Sequence, residues 1–136
     1  MNVSVVILTY NEEVNIGRCL SSLKGFQDIH VVDSGSADET LTLAKSFNVR
    51  IHQNPFISFS NQRNFAHEYC DLKYNWVLHL DADEEMTDEL EQEIQACLNN
   101  NIELDCFNIS SKLIFFGRFL RYSAGFPNYQ VRLLRK

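Results

Sequence analysis

Glycine and proline are scarce in this chain, with five and two copies among 136 residues. The glycines never fall into G-x-x-x-x-G-K-[ST] or G-x-G-x-x-G, so the two loops that cradle phosphates with backbone amides are absent. A phosphate-bearing ligand would need another source of positive charge. No apolar run approaches the ~20 residues of a membrane-spanning helix. The first residues, Met1-Asn2-Val3-Ser4-Val5-Val6-Ile7-Leu8, carry no basic leader and no small-residue cleavage site, so they read as a strand and not a signal peptide. The four cysteines, Cys19, Cys70, Cys97 and Cys106, include no Cys-X-X-Cys pair and suggest neither zinc nor a redox couple. Reduced thiols in a cytoplasmic protein are expected. Acidic residues are missing from 106–136, where six basic residues give +6; residues 1–105 hold six basic and eighteen acidic residues, giving −12. A net charge of −6 is too acidic for general nucleic-acid binding, while the basic end suits an anionic partner.

What is present is an alternation of strands and helices. Length predicts one domain, and the 45% hydrophobic and 22% charged content is ordinary for a globular protein. Strands are expected at Val3 to Thr9, Ile29 to Asp33, Val49 to His52, Trp76 to Leu80 and Cys106 to Ser110. Helical spacing marks Glu12 to Leu23, Ser36 or Ala37 to Phe47, Ser58 to Tyr69 and Thr87 to Leu98. Such alternation implies βαβ units and a mainly parallel sheet. Residues 113–122 are apolar, aromatic and basic; Gly125-Phe126-Pro127-Asn128 is a turn signal, and Tyr129 to Leu134 alternates like a strand.

Leu80-Asp81-Ala82-Asp83-Glu84 follows the apolar run of the fourth strand. Two carboxylates one residue apart at a strand's carboxyl end suit a hard divalent cation, and through it a diphosphate. Taken alone, the segment reads better as an acidic helix entry, with Asp88 as cap and Glu91 as its partner. The other strand ends reverse that preference. Thr9-Tyr10-Asn11-Glu12 and Asp33-Ser34-Gly35-Ser36-Ala37-Asp38 bring polar groups to the edge where open α/β sheets bind ligands. There Tyr10 could stack on a base, and Asp33 could accept hydrogen bonds from a base or ribose.

These segments, with Gln62-Arg63-Asn64-Phe65-Ala66, resemble in order and spacing the N-terminal part of glycosyltransferase family 2, the inverting enzymes of the GT-A nucleotide-sugar fold. The Asp-Ala-Asp-Glu form and the run Gly125 to Arg135 are similar to a subgroup that adds glucose to the lipopolysaccharide inner core. The resemblance implies a three-layer αβα sandwich with a mainly parallel sheet, incomplete at its C-terminus. It implies a donor-binding region at 1–105 and the start of an acceptor region at 106–136. Thr9, Tyr10 and Glu12 would border uracil and ribose, Asp33 would bond uracil, and Arg63 would lie near base or diphosphate. Asp81 would contact ribose or a metal-bound water, and Asp83 would ligate Mn²⁺ or Mg²⁺. His30, His52, His67 and His79 match no catalytic position and are read as structural.

The implied reaction moves a sugar from UDP-sugar to a saccharide or lipid-linked acceptor, with a general base beyond Lys136. Peripheral contact with the inner membrane face and a homodimer are further expectations. The aromatics of 113–122 are expected to pack on the sheet. Two other readings stay open: a module that holds UDP-sugar without transferring it, and a nucleotidyltransferase, against which the missing phosphate loop counts. These 136 residues alone are expected to show weak or no transferase turnover; turnover matching a longer homologue in a UDP-release assay would overturn this.

Overall fold

Apolar runs become strands here because both sheet faces are covered. In the computed structural model, which describes residues 1–99, 103–122 and 125–136, β1 (Val3–Thr9) is buried along its whole length. It is flanked in parallel by β2 (Asp28–Asp33) and β4 (Trp76–Asp81), and β3 (Arg50–Gln53) extends the sheet parallel to β2. The further strands are β5 (Cys106–Ser110), β6 (Ile114–Phe115), β7 (Arg118–Phe119) and β8 (Tyr129–Arg135). The main sheet has the order β3-β2-β1-β4-β8-β5. Strand β8 lies antiparallel to both β4 and β5, so β5 runs parallel to β4.

The helices are α1 (Ile16–Ser21), α2 (Thr40–Ala44), α3 (Phe59–Tyr69) and α4 (Asp88–Asn99). Strand alternation sorts the core into two layers. Val3, Val5 and Ile7 pack with Ile16, Cys19 and Leu20 of α1, Ala44 of α2 and Ile94 of α4. Val6, Leu8, Val32 and Val77 pack with Ala66 and Cys70 at α3. The result is the expected three-layer, mainly parallel sandwich. The 105/106 boundary falls within the sheet, since β5 and β8 pair onto β4.

Three expectations are corrected. Helices α1 and α2 are shorter than their periodicity, because Asn11 to Glu13 and Ser36 to Thr40 are engaged in bonds between their loops. The apolar spacing continues past both helices as i→i+3 turns, Leu23 to Leu20 and Phe47 to Ala44. The cap of α4 is Thr87 and not Asp88: its hydroxyl accepts from the Leu90 amide, as an N-cap does. The aromatics of 113–122 do not lie on the sheet. Phe116 and Gly117 both take positive φ, 46° and 72°, the geometry of a tight hairpin turn. Among the described residues, β6 and β7 pair only with each other, leaving Phe115, Phe116 and Tyr122 exposed.

All four histidines of the chain sit in two pairs. His30 Nδ1 meets His52 Nε2 at 3.0 Å, and His67 Nε2 meets His79 Nε2 at 3.0 Å. Burial, reinforced by His67 and Arg63, pushes His79 down to about 3 from an ordinary 6.5. Burial also lowers His30, His52 and His67. Below about pH 6.5 the unfolded chain takes up protons that the fold refuses, so stability is full above that value and falls as pH drops towards about 3. At pH 5 the His79 contribution alone costs about 2 kcal/mol. Urea midpoints near pH 7 and pH 5 test this; equal midpoints would contradict the burial of these imidazoles.

Candidate functional site

The carboxyl ends of β1, β2 and β4 converge on one sheet edge, and side chains from separate loops lace it together. Asn11, with φ 53°, donates its amide to Ser36 Oγ and accepts from the Ala37 amide on its side-chain oxygen. The Glu12 amide donates to Thr40 Oγ1, and the Glu13 amide to Asp38. Asn tolerates the left-handed region better than most residues. Asp33, fully buried, accepts from the amides of Gly35 and Ser36 and from the Ser36 hydroxyl. Gly35 at φ 101° lets this loop turn back on its own strand. Ser34 donates its amide to the Thr9 carbonyl and Asn54 its amide to the Asp33 carbonyl, joining the ends of β1, β2 and β3.

Tyr10 is exposed at the rim, 59% accessible. The Glu12 carboxylate accepts from Asn15 Nδ2. Thr9 is buried, and its hydroxyl has no partner among the described residues. On α3, buried Gln62 donates to Ser34 Oγ and the Asn54 carbonyl, fixing the helix over the same edge. Its neighbour Arg63 is half-buried and forms no hydrogen bond or ion pair with the described residues.

At the end of β4 the two aspartates differ. Asp81 Oδ2 accepts from Arg132 Nη2 at 2.9 Å, and the same nitrogen reaches Glu84 Oε1 at 2.9 Å. Glu84 also accepts from the Asp81 amide and from Ser111 Oγ, so the turn after β4 is tied to β8 and to the chain beyond β5. Asp83 is exposed and bonds to no described residue. An unpartnered carboxylate beside one whose other oxygen stays unengaged is an oxygen-only donor set, which fits a hard divalent cation. Cys19 Sγ lies 3.9 Å from the Asp81 carbonyl. Burial, with Glu84 and Asp83 nearby, pushes its thiol up to about 12, so it stays protonated there.

Arg132 was not among the residues singled out from sequence. Residues Phe107 and Asn108 of β5 pair with Leu133 and Val131 of β8, skipping Arg132. Arg132 is thus the extra residue of a β-bulge, and bulges re-aim side chains. Val131 is exposed while Arg132 and Leu133 are both buried. The alternation of Tyr129 to Leu134 located the strand but carried no sign of that interruption. Arg132 Nη1 is buried without a partner, as is Thr9 Oγ1; such orphans at one edge leave polar capacity for a ligand.

The chain as a whole is similar to several known proteins. The family model described as glycosyl transferase family 2 matches residues 4–130. A glycosyltransferase of Rickettsia typhi is 38% identical over 94 residues, covering 68% of this chain and 32% of that protein. The lipopolysaccharide core biosynthesis glycosyltransferase LpsC of Rhizobium meliloti is 29% identical over 119 residues, covering 84% of the chain and 43% of LpsC. The chain therefore spans about a third of the length of the first of these relatives and under half of the second. Among solved structures, S. aureus TarS 1–349 in complex with UDP-GlcNAc superposes with a TM-score of 0.70 at 27% identity, covering 87% of this chain and 36% of that one.

Removing the Arg132 guanidinium would leave Asp81 and Glu84 facing each other uncompensated. Arg132→Met is expected to lower stability by about 3 kcal/mol, the low end for breaking a buried pair because Asp81 keeps solvent contact. Urea unfolding of the two chains measures this, and a loss within experimental error would show that the guanidinium is not holding the turn.

Proposed function

The chain belongs to glycosyl transferase family 2, and from that premise we propose that it forms the donor side of a UDP-sugar-dependent transferase of cell-envelope polysaccharide or lipopolysaccharide core synthesis. The observation that carries this is the free Asp83 carboxylate beside an Asp81 pinned by Arg132, at the edge where a parallel sheet presents its ligand. The naming of LpsC and the UDP-GlcNAc complex of TarS support the same reading.

In this proposal Tyr10 stacks on uracil at the rim, with Thr9 and Glu12 beside base and ribose. Asp33 shapes the uracil pocket, and its own loop already occupies its carboxylate. Arg63 faces base or diphosphate with its charge unspent. Asp83 and the unengaged oxygen of Asp81 would hold Mn²⁺ or Mg²⁺. When bound, that ion supplies charge neutralisation for the departing diphosphate. Arg132 would keep Asp81 and Glu84 in place while an acceptor hydroxyl displaces UDP from the anomeric carbon with inversion.

Inversion needs a general base to take the acceptor proton, and the family resemblance makes that base a carboxylate. Asp105 opens β5, which runs parallel to β4, so it lies at the opposite sheet edge and faces Arg135. The family resemblance, beyond this one placement, assigns the general base outside residues 1–136. Donor binding without transfer is therefore the second reading for this span. The β6–β7 hairpin, with Lys112, Arg118 and Arg121 among exposed aromatics, is proposed to face a saccharide or lipid-linked acceptor. A second copy or the inner membrane surface are other surfaces for it. No helix among the described residues is long and apolar enough to cross a membrane.

Calorimetry of UDP binding with and without Mn²⁺ tests the donor site. The expected result is Mn²⁺-dependent binding that Asp83→Ala weakens roughly a hundredfold, as loss of metal-site groups does. Equal affinity with and without the ion, or an unaffected Asp83→Ala chain, would refute the assignment. Acceptor-dependent UDP release separates transfer from binding alone.

A further inference from the structure

We infer that His30, His52 and Cys70 form a second cation site, of nitrogen and sulfur donors suited to Zn²⁺, beneath the C-terminal end of α3. His30 lies within β2, His52 on the edge strand β3, and Cys70 follows α3. Their donor atoms all lie within 4.8 Å of one another. They are 22 residues and a further helix apart in the chain, so no short spacing announces them. Only the fold brings them together, on the β3 side of the sheet, with β1 between β2 and the β4 strand that carries Asp81.

The His30 ring is already oriented as a ligand. Its Nε2 meets the Asp28 carboxylate at 3.2 Å. Asp28 is itself held by Ser4 Oγ and the Lys73 amide. A carboxylate on one ring nitrogen fixes the tautomer that leaves the other bare, the usual arrangement behind a metal-bound imidazole. Nδ1 then points at His52 Nε2, 3.0 Å away, with ring planes only 14° apart. In the metal-free chain a proton sits between the two nitrogens. Zinc–nitrogen and zinc–sulfur bonds of ~2.0–2.1 and ~2.3 Å set tetrahedral donor separations of roughly 3.3–3.6 Å. The two rings now face each other head to head, with centroids 5.2 Å apart, so each must swing off that line to aim its lone pair at a shared ion; the nitrogens then open by a few tenths of an ångström and the sulfur approaches by up to about 1.2 Å.

Burial holds the Cys70 thiol up at about 11, so a bound ion must displace its proton. Cys70 as thiolate together with Asp28 would balance a dication, against which the Arg50 guanidinium, 3.4 Å from Asp28, is the opposing charge. Cys70 is 3% exposed and His30 fully buried, while His52 is partly exposed and gives an entry path. Imidazole and thiolate select zinc-like ions; the oxygen donors at the β4 end select Mg²⁺- or Mn²⁺-like ones. A filled site, with three protein donors and water in the fourth position, would tie the four-residue edge strand β3 to the end of α3.

The test is Co²⁺ and Zn²⁺ titration of the purified 136-residue chain. The expected result is one Co²⁺ per chain with a thiolate-to-metal charge-transfer band, displaced by Zn²⁺, and a thermal midpoint raised by Zn²⁺. Cys70→Ser should abolish the band and His52→Ala weaken binding at least about tenfold, with circular dichroism checking that each is folded. If Cys70→Ser does not fold, His52→Ala, altered at a partly exposed residue, decides. Asp83→Ala should keep the band, which separates this site from the donor site. No band with a folded chain, a band surviving Cys70→Ser, or unchanged affinity in His52→Ala would overturn the inference.

Discussion

One buried guanidinium conditions the geometry of the β4 edge. Desolvating an arginine costs several kcal/mol unless its charge is met at close range, and Arg132 is met twice by one nitrogen, through Asp81 and Glu84. The carboxylates have the reciprocal need, since two acids at a strand end repel without a cation. Strand β8 therefore runs between β4 and β5, its bulge turning Arg132 towards the acids. Glu84, held in this way, closes the turn on the Asp81 amide and reaches Ser111. Asp83 is left over, at the surface, as a carboxylate that no described residue claims.

The six strands of the main sheet, their alternation with helices and the polar character of their carboxyl ends were legible in the sequence, whereas the β6–β7 hairpin was not. Continuous apolar runs such as Val3 to Leu8 have little alternative to a covered parallel strand. The Asp-X-Asp segment could be placed at the ligand edge for the same reason. Helix lengths at α1 and α2 were not legible. Local spacing cannot show that Asn11, Glu12, Ser36 and Thr40 bond across loops some 25 residues apart. Arg132 was hidden because a bulge breaks the two-residue period that located its strand. The histidines were hidden differently: each looks isolated in the chain, and only the parallel register of β2 with β3 and the packing of α3 on β4 pair them.

Asp33 shows how loop-building and ligand-binding compete for one group. Its carboxylate receives two amides and a hydroxyl from its own loop, and with no exposed surface it is first a structural acceptor. The loop so fixed carries Ser34 and Ser36, which hold Gln62 and Asn11. A base seated here would meet a rim whose shape Asp33 determines even where its oxygens are already taken. Preorganisation of this kind limits the ordering that binding must still impose.

The split of charge along the chain has two components, and the fold separates them. Part of it is internal. Arg132 answers Asp81 and Glu84, Arg135 faces Asp105, and so the basic end partly neutralises the acidic body by folding back beside β4. The rest is external: Arg118 and Arg121 form no ion pair among the described residues and sit on or beside a hairpin whose aromatics face solvent. An exposed apolar ribbon with unanswered cations is costly in a solitary domain and reasonable where an anionic, partly apolar surface covers it. It is this second component, and not the total of six positive charges, that bears on a partner for this end of the chain.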